Sequence, residues 1–469
     1  MEGNDFLGEE VSSNVQRYEK MLRNKTSDYF DAEAIEGIID YYIHHDKLKK
    51  ALEAIEFGKD MYPSHVAYWI KLAEVYVLME RLDDAMAELD KAEIYEPFNA
   101  ELFLLKGEIC LNQEQFEEAT EFFEKALLHT DERLDMLFEI AYVLEDNDKF
   151  EEAARYFSLI ISEEPELEQA YYELAHCYDL LGNYAEAIKQ LNALIDMDPY
   201  NTGAWYNLGV TYSKMGEFEE AINAFDYCLV IEEEYTVARF NKANCLVELD
   251  RFEEAIPEYL SVIGAEGGDS ISYCNLAGCY ERLGRLDDAR TQYKKAAQIN
   301  PNLAEAWFGI GITLEKEAHY KEALQHFKRA VLLEPENLEF LLVLAECEYR
   351  LGHVKEAEDI YVKMVDLDPG MMEAWLDWSL LKYAEGEISR AAQLIYEAIS
   401  YDPSIHQYHY RLVVYLYELG RIQEAHKHLE LALMSAFDDH FLIFEIAPKL
   451  KKVNDILQII DTYRLNEGL

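Results

Sequence analysis

Two apolar stripes of helical spacing recur along this chain, and they recur every 34 residues. When each unit is counted from Ala32, places 4, 7, 8 and 11 form one stripe, and places 17, 20, 24 and 27 form another. Twelve complete units then run from Ala32 to Asp439 with no insertion or deletion. Place 20 is alanine in all twelve, from Ala51 and Ala85 through to Ala391 and Ala425. Place 8 is small in every internal unit, as at Ala73, Gly107, Ala175, Gly209, Gly311 and Ser379, and bulky only at the terminal Ile39 and Val413. Large rings recur at place 4 (Trp69, Trp205, Trp307, Trp375) and at place 24 (Phe123, Phe225, Tyr293, Phe327). Small residues at 8 and 20 let two helix backbones approach closely, and the rings fill the space around that contact.

Punctuation falls on the same grid. Pro63, Pro97, Pro165, Pro199, Pro301, Pro335, Pro369 and Pro403 all occupy place 32, where proline ends the second helix. Asp131, Glu233, Gly267 and Phe437 hold that place in the other four units. Asn99, Asn201, Asp269 and Asn337 stand at place 34 and are predicted to cap the helix that follows. Each unit therefore reads as a helix-turn-helix hairpin that cannot bury its apolar face alone, so neighbours must stack. The expected fold is all-α, an α-solenoid.

Segments such as AWYNLGVTYSKMGEFEEAINAFDYCLVIEEE and AWFGIGITLEKEAHYKEALQHFKRAVLLEPEN resemble the tetratricopeptide repeat family in their spacing of Trp, Leu, Gly, Tyr, Ala, Phe and Pro. The resemblance implies a right-handed superhelix of 34-residue units. Its first helices would line a concave groove that receives peptides or extended segments.

Outside the twelve units, residues 1–31 are expected to supply an N-terminal capping helix, with Val11, Val15, Tyr18 and Leu22 on one side. Residues 440–469 are expected to supply C-terminal capping helices: Pro448 cuts one short, and Leu450, Val453, Leu457 and Ile460 share a face of the next. Pro257 falls inside the second helix of the seventh unit, with Gly264, Gly267 and Gly268 after it, which predicts a local bend there.

Charge narrows the partners. The chain carries 93 Asp and Glu against 42 Lys and Arg, a formal net charge of -51. Such a field repels phosphates and anionic lipid, so neither nucleic acid nor a membrane surface is expected as a partner. It attracts neutral or basic protein segments and disfavours self-association, so a monomer is expected. No run approaches 18 apolar residues, which predicts no membrane insertion. The opening MEGNDFLGEEV has no basic or apolar leader pattern, and Cys177, Cys245, Cys279 and Cys347 share place 10 as small core residues. The expected address is the cytoplasm.

Candidate binding residues come from the first helices. Asn207, Asn241 and Asn275 stand at place 6 of three successive units, opposite the buried stripe. A column of amides both donates and accepts, so it can read an extended backbone; asparagine ladders of this kind occur in the family the repeats resemble. Tyr172, Tyr206 and Phe240 at place 5 would add shallow apolar contacts, with Phe308 beyond Cys274. Glu139 and Glu173, with Glu101, Asp135, Glu145 and Asp179, would line an acidic groove that selects basic guests. The family's carboxylate clamp for acidic tails is matched only at Asn244 and Asn275. Phe240, Glu305 and Gly309 stand where its three cations would be, so an acidic-tail partner is not expected.

The histidines lack zinc spacing, and no nucleotide or hydrolase motif is present, so no metal, cofactor or catalysis is expected. The expected function is a non-catalytic scaffold or adaptor that binds an extended, neutral or basic protein segment. The alternatives are a structural, self-associating solenoid or an accessory subunit of a larger complex, with the groove unused.

Overall fold

A computed structural model of the chain describes residues 9–467. Among them lie 27 α-helices and two short 3-10 helices, and no strand. The helices pair in sequence order: a first helix such as Ala100–Asn112 and a second such as Phe116–His129, repeated twelve times. The chain divides into two compact halves, Met1–Glu233 and Glu234–Leu469. The N-terminal half holds the helix Glu9–Asn24 and six hairpins; the C-terminal half holds six hairpins and the helices after them. Each half is an α-solenoid.

The contact between paired helices follows from the small residues. Ala51, Ala85, Ala119, Ala153 and their equivalents at place 20 are fully buried. At place 8, a Cβ added to Gly107, Gly209 or Gly311 would lie 2.3, 2.6 or 2.4 Å from the ring of Phe123, Phe225 or Phe327. These rings at place 24 are themselves 0–1% exposed and have nowhere to move. In these three repeats the ring occupies the space where a methyl at place 8 would stand, whereas in the fourth repeat Ala141 faces an equally buried Phe157. In the fifth repeat the pair is Ala175 and Leu191 instead, a larger residue facing a slimmer one.

The grid proline has a second use. Trp205, Trp307 and Trp375 at place 4 donate from Nε1 to the carbonyl oxygens of Pro199, Pro301 and Pro369, at 2.9–3.0 Å. Tyr171 does the same to Pro165 at 3.2 Å. Each bond ties the first helix of one repeat to the end of the repeat before it. Asn99, Asn201, Asp269 and Asn337 accept from the backbone N–H three residues on, at 3.0–3.2 Å, as the capping pattern predicts.

The turn inside each hairpin obeys a rule that the apolar pattern does not reveal. Place 15 takes positive φ in all twelve repeats, as glycine at 182, 216, 284, 352, 386 and 420. In the other six it is Asp46, Glu80, Glu114, Asp148, Asp250 and Ala318. The left-handed residue closes the first helix, and the next N–H bonds back to place 11, as from His319 to Leu314 at 2.9 Å. Ala318, at φ 63, lacks the side-chain oxygen that helps Asp tolerate this region. Ala318→Gly is therefore expected to stabilise the protein by about 1 kcal/mol, read as a raised unfolding midpoint.

The ends differ in detail from the sequence reading. In helix Glu9–Asn24 the packed side is Val15, Tyr18 and Met21, and Leu22 is 46% exposed. Near the C terminus Pro448 opens a 3-10 turn, Pro448–Lys452, that buries Leu450. In the helix Asn454–Glu467 the buried residues are Ile456 and Ile460, and Leu457 faces outward. That helix starts at Asn454, so Leu450 lies outside its period. Pro257 does not interrupt its helix, which runs from Phe252 to Glu266. Ala255, Ile256, Tyr259 and Val262 bury around it. The irregularity comes afterwards, at Gly267 and Gly268, both left-handed.

Candidate functional site

In the N-terminal half, the first helices of repeats two to four are Ala67–Leu78, Ala100–Asn112 and Arg133–Asp146. Places 2, 5, 6 and 9 of such a helix share a face by the i, i+3, i+4, i+7 rule. There the three helices enclose a pocket of about 460 Å³. Its floor is apolar: Ile70, Leu104, Leu105 and Met136. Its rim is six carboxylates, Glu74, Glu101, Glu108, Glu132, Asp135 and Glu139. Among the described residues one cation is within ion-pair reach of the six: Lys71, 3.1 Å from Glu74 and 3.2 Å from Asp40.

That imbalance shows in the carboxyl groups. Burial, followed by repulsion from Glu101 and Asp40, raises Glu74 above its ordinary range even against the pull of Lys71. Burial, then Glu74 and Asp146, raises Glu108. A carboxyl whose folded pKa is raised favours the folded state below the ordinary carboxylate pKa, and loses that contribution as pH rises through the raised value. At neutral pH ionised Glu108 therefore strains the fold. Glu108→Gln is expected to raise the melting temperature at pH 7.5, with the gain shrinking toward pH 4; a loss of stability at pH 7.5 would contradict this.

Of the six acidic residues singled out in the sequence, Glu101, Asp135 and Glu139 come together in this pocket. The other three are engaged elsewhere. Glu173 accepts from the Tyr142 hydroxyl at 3.0 Å. Glu145 lies 3.7 Å from His176, and Asp179 pairs with Lys214 at 2.5 Å. Glu74 and Glu108 were missed, although their spacing of 34 at place 9 was legible.

The amides are half-buried rather than open. In the C-terminal half, Asn275 donates from Nδ2 to Asn244 Oδ1 at 3.2 Å, and the Tyr259 hydroxyl donates to the same oxygen at 2.5 Å. Both asparagines line a pocket of about 640 Å³. Asn241, in the same half, and Asn207, in the N-terminal half, sit half-buried on their own first helices. Of the rings at place 5, Tyr172 spends its hydroxyl on the capping Asn201. Tyr206 packs 6.1 Å from Phe225, and Phe240 packs 5.8 Å from Tyr259. These rings belong partly to the core. At Gly309 a Cβ would lie 2.3 Å from Tyr293, so the place where a clamp cation would stand has no room for any side chain.

Among the described residues no group of three or more His, Cys, Asp and Glu is arranged to hold a metal ion, and no helix is long and apolar enough to cross a membrane. All seven cysteines are free, six of them buried.

Among solved structures, a MamA protein is 23% identical over 37% of this chain and 96% of its own, with a TM-score of 0.35. MamA from Desulfovibrio magneticus is 20% identical over 36% of this chain and 96% of its own, at 0.35. A tetratricopeptide repeat protein from Parabacteroides merdae is 19% identical over 50% of this chain and 93% of its own, at 0.36. No curated protein matches the chain in sequence. The family model of the Anaphase-promoting complex, cyclosome, subunit 3 matches residues 146–228. Models described as Tetratricopeptide repeat match residues 70–134, 206–271, 269–331, 314–377 and 376–439. With those matches and twelve hairpins of one period, the chain belongs to the tetratricopeptide repeat family.

Proposed function

We propose that this protein is a non-catalytic scaffold that binds an extended, basic protein segment along the first helices of its N-terminal half. The repeat fold itself is that of protein-interaction scaffolds. The observation that carries the finer reading is the pocket of Glu74, Glu101, Glu108, Glu132, Asp135 and Glu139 over an apolar floor. Lysine and arginine side chains have a matching form, an aliphatic stem with a charged head. The stem would lie on Leu104, Leu105 and Met136, and the head would relieve the repulsion that raises Glu74 and Glu108. The amides of the C-terminal half suit a neutral stretch of a guest, whose backbone needs donors and acceptors rather than charge. Monomeric state and a cytoplasmic address fit this reading, since a scaffold of net charge -51 repels its own copies.

The test uses a fluorescein-labelled twelve-residue peptide of alternating lysine and serine, followed by anisotropy. Binding is expected at 50 mM salt and should weaken by about tenfold or more at 300 mM, because part of the attraction is screened over about 10 Å or less. A glutamate-serine peptide should not bind. Equal binding of both peptides, or none at low salt, would overturn the reading.

A second reading, a fixed subunit of a larger assembly, draws on the match of residues 146–228 to a subunit of a multiprotein complex. It is supported by apolar side chains left open on second helices, Ile94 at 80%, Leu128 at 74% and Phe98 beyond its helix at 69% exposed.

A further inference from the structure

Four repeats carry the same ring pair, and the third and tenth put Leu104 and Leu342 in place of its first member. A ring at place 5 of the first helix packs against the ring at place 24 of the second. Phe138 lies 6.1 Å from Phe157, Tyr206 6.1 Å from Phe225, Phe240 5.8 Å from Tyr259 and Phe308 5.6 Å from Phe327. The eighth repeat keeps the second member, Tyr293, and lacks the first, because Cys274 stands at place 5. One turn later Gly278 leaves further space: a Cβ there would meet only the Tyr293 hydroxyl, at 3.8 Å. The vacancy is the pocket of about 640 Å³ already described, lined by Cys274, Gly278 and Tyr293 with Asn244 and Asn275 beside them.

Tyr293 is a fixed wall of that pocket. It is 7% exposed, its hydroxyl donates to Glu281 at 3.0 Å, and Gly309 of the next repeat lets it sit against the helix backbone. Lys316 holds the same carboxylate from the other side at 2.9 Å.

We propose that this pocket takes one aromatic side chain of a neutral guest segment lying on the first helices of the C-terminal half, in the place of the missing ring at place 5. The guest ring would complete the pair with Tyr293, and Asn244 and Asn275 lie where the guest's backbone would enter. Offset or edge-on ring pairs prefer centroid separations of about 4.5–7 Å, the range that the other repeats show. The proposal rests on the reading that the amides of the C-terminal half hold a neutral stretch of a guest, and adds to it a residue type.

Two variants close the pocket with side chains that the repeat already accepts elsewhere. Cys274→Phe restores the ring that the sixth, seventh and ninth repeats carry in one form or another. Gly278→Leu fills it from place 9, where the eleventh repeat has Leu380. The probes are two labelled peptides of alternating asparagine and serine, neutral and identical except for a central phenylalanine or alanine. Wild-type protein is expected to bind the phenylalanine peptide about tenfold tighter or more. Both variants should lose that difference, keep their affinity for the alanine peptide and keep the wild-type melting temperature within a few degrees. Should one variant fold poorly, the other decides. Equal affinity of the wild type for both peptides would overturn the pocket and leave the amide reading standing. Preference for phenylalanine that survives in both variants would place the aromatic contact elsewhere and also overturn it. No binding of either peptide would remove the amide reading of the C-terminal half, and the pocket with it, while the lysine-serine peptide tests the acidic pocket of the N-terminal half separately.

Discussion

Alanine at position 311 will destabilise the protein while Phe327 is present, and will stabilise it once Phe327 is also alanine. A Cβ at 311 would stand 2.4 Å from the Phe327 ring, and that ring is 0% exposed. Overpacking of this kind costs about 1–3 kcal/mol, more than the roughly 1 kcal/mol that alanine gains over glycine inside a helix. Phe327→Ala alone should be the more damaging change, at about 3–5 kcal/mol, because it removes a buried ring and leaves a cavity. In that background the added methyl enters empty space and the helix propensity gain is all that remains. Denaturant unfolding of the four proteins in the cycle reads the sign directly. A neutral or favourable Gly311→Ala in the wild-type background would mean that the ring is free to move and that place 8 is small for another reason.

Replacing Glu101 and Glu139 with glutamine and Asp135 with asparagine together is expected to weaken binding of the lysine-serine peptide by about tenfold or more at 50 mM salt. The control removes three charges from second helices instead: Glu117, Glu118 and Glu151, which open the helices Phe116–His129 and Phe150–Glu163. Both triple variants leave a net charge of about -48, so general attraction predicts the same small loss for each. A local pocket predicts a large loss for the first alone. The amides keep the shape of the rim, and Glu74, relieved of the repulsion from Glu101, should make the first variant no less stable than wild type.

Much of the architecture was legible in the residues because stacking forces one solution on every repeat. Place 20 has to be small wherever two helices touch, and that constraint writes alanine twelve times. The caps at Asn99 and Asn201 were readable for the same reason, since a helix start leaves donors that a nearby amide oxygen can take. The left-handed turn at place 15 was not, because half the repeats meet it with Asp, Glu or Ala and so carry no glycine signal. At the ends the period misled. Leu22 and Leu457 continue a stripe on paper, but Met21 and Ile456 are the side chains buried at the two ends, while Leu22 and Leu457 stay exposed.

The binding face was legible in part. Helical spacing placed Glu101, Asp135 and Glu139 on one side, yet could not say that three successive helices would bring them to one pocket while Glu173 and Asp179 found partners of their own. Asn275 shows the opposite limit. Its place in a column of amides suggested an open donor, whereas Asn244 takes one of its hydrogens from within the repeat stack. The gap at Cys274 could be seen as a break in a column of rings, but its meaning depends on Tyr293 staying in place behind it.

The central claim is that a basic segment lies on the first helices of the N-terminal half. Photo-crosslinking tests it most directly, with a benzophenone group placed at the centre of the lysine-serine peptide and the adducts mapped by mass spectrometry. Adducts are expected on the helices Ala100–Asn112 and Arg133–Asp146, around Leu104, Leu105 and Met136. Adducts confined to second helices such as Leu82–Tyr95 or Phe116–His129, near Ile94 and Leu128, would contradict it.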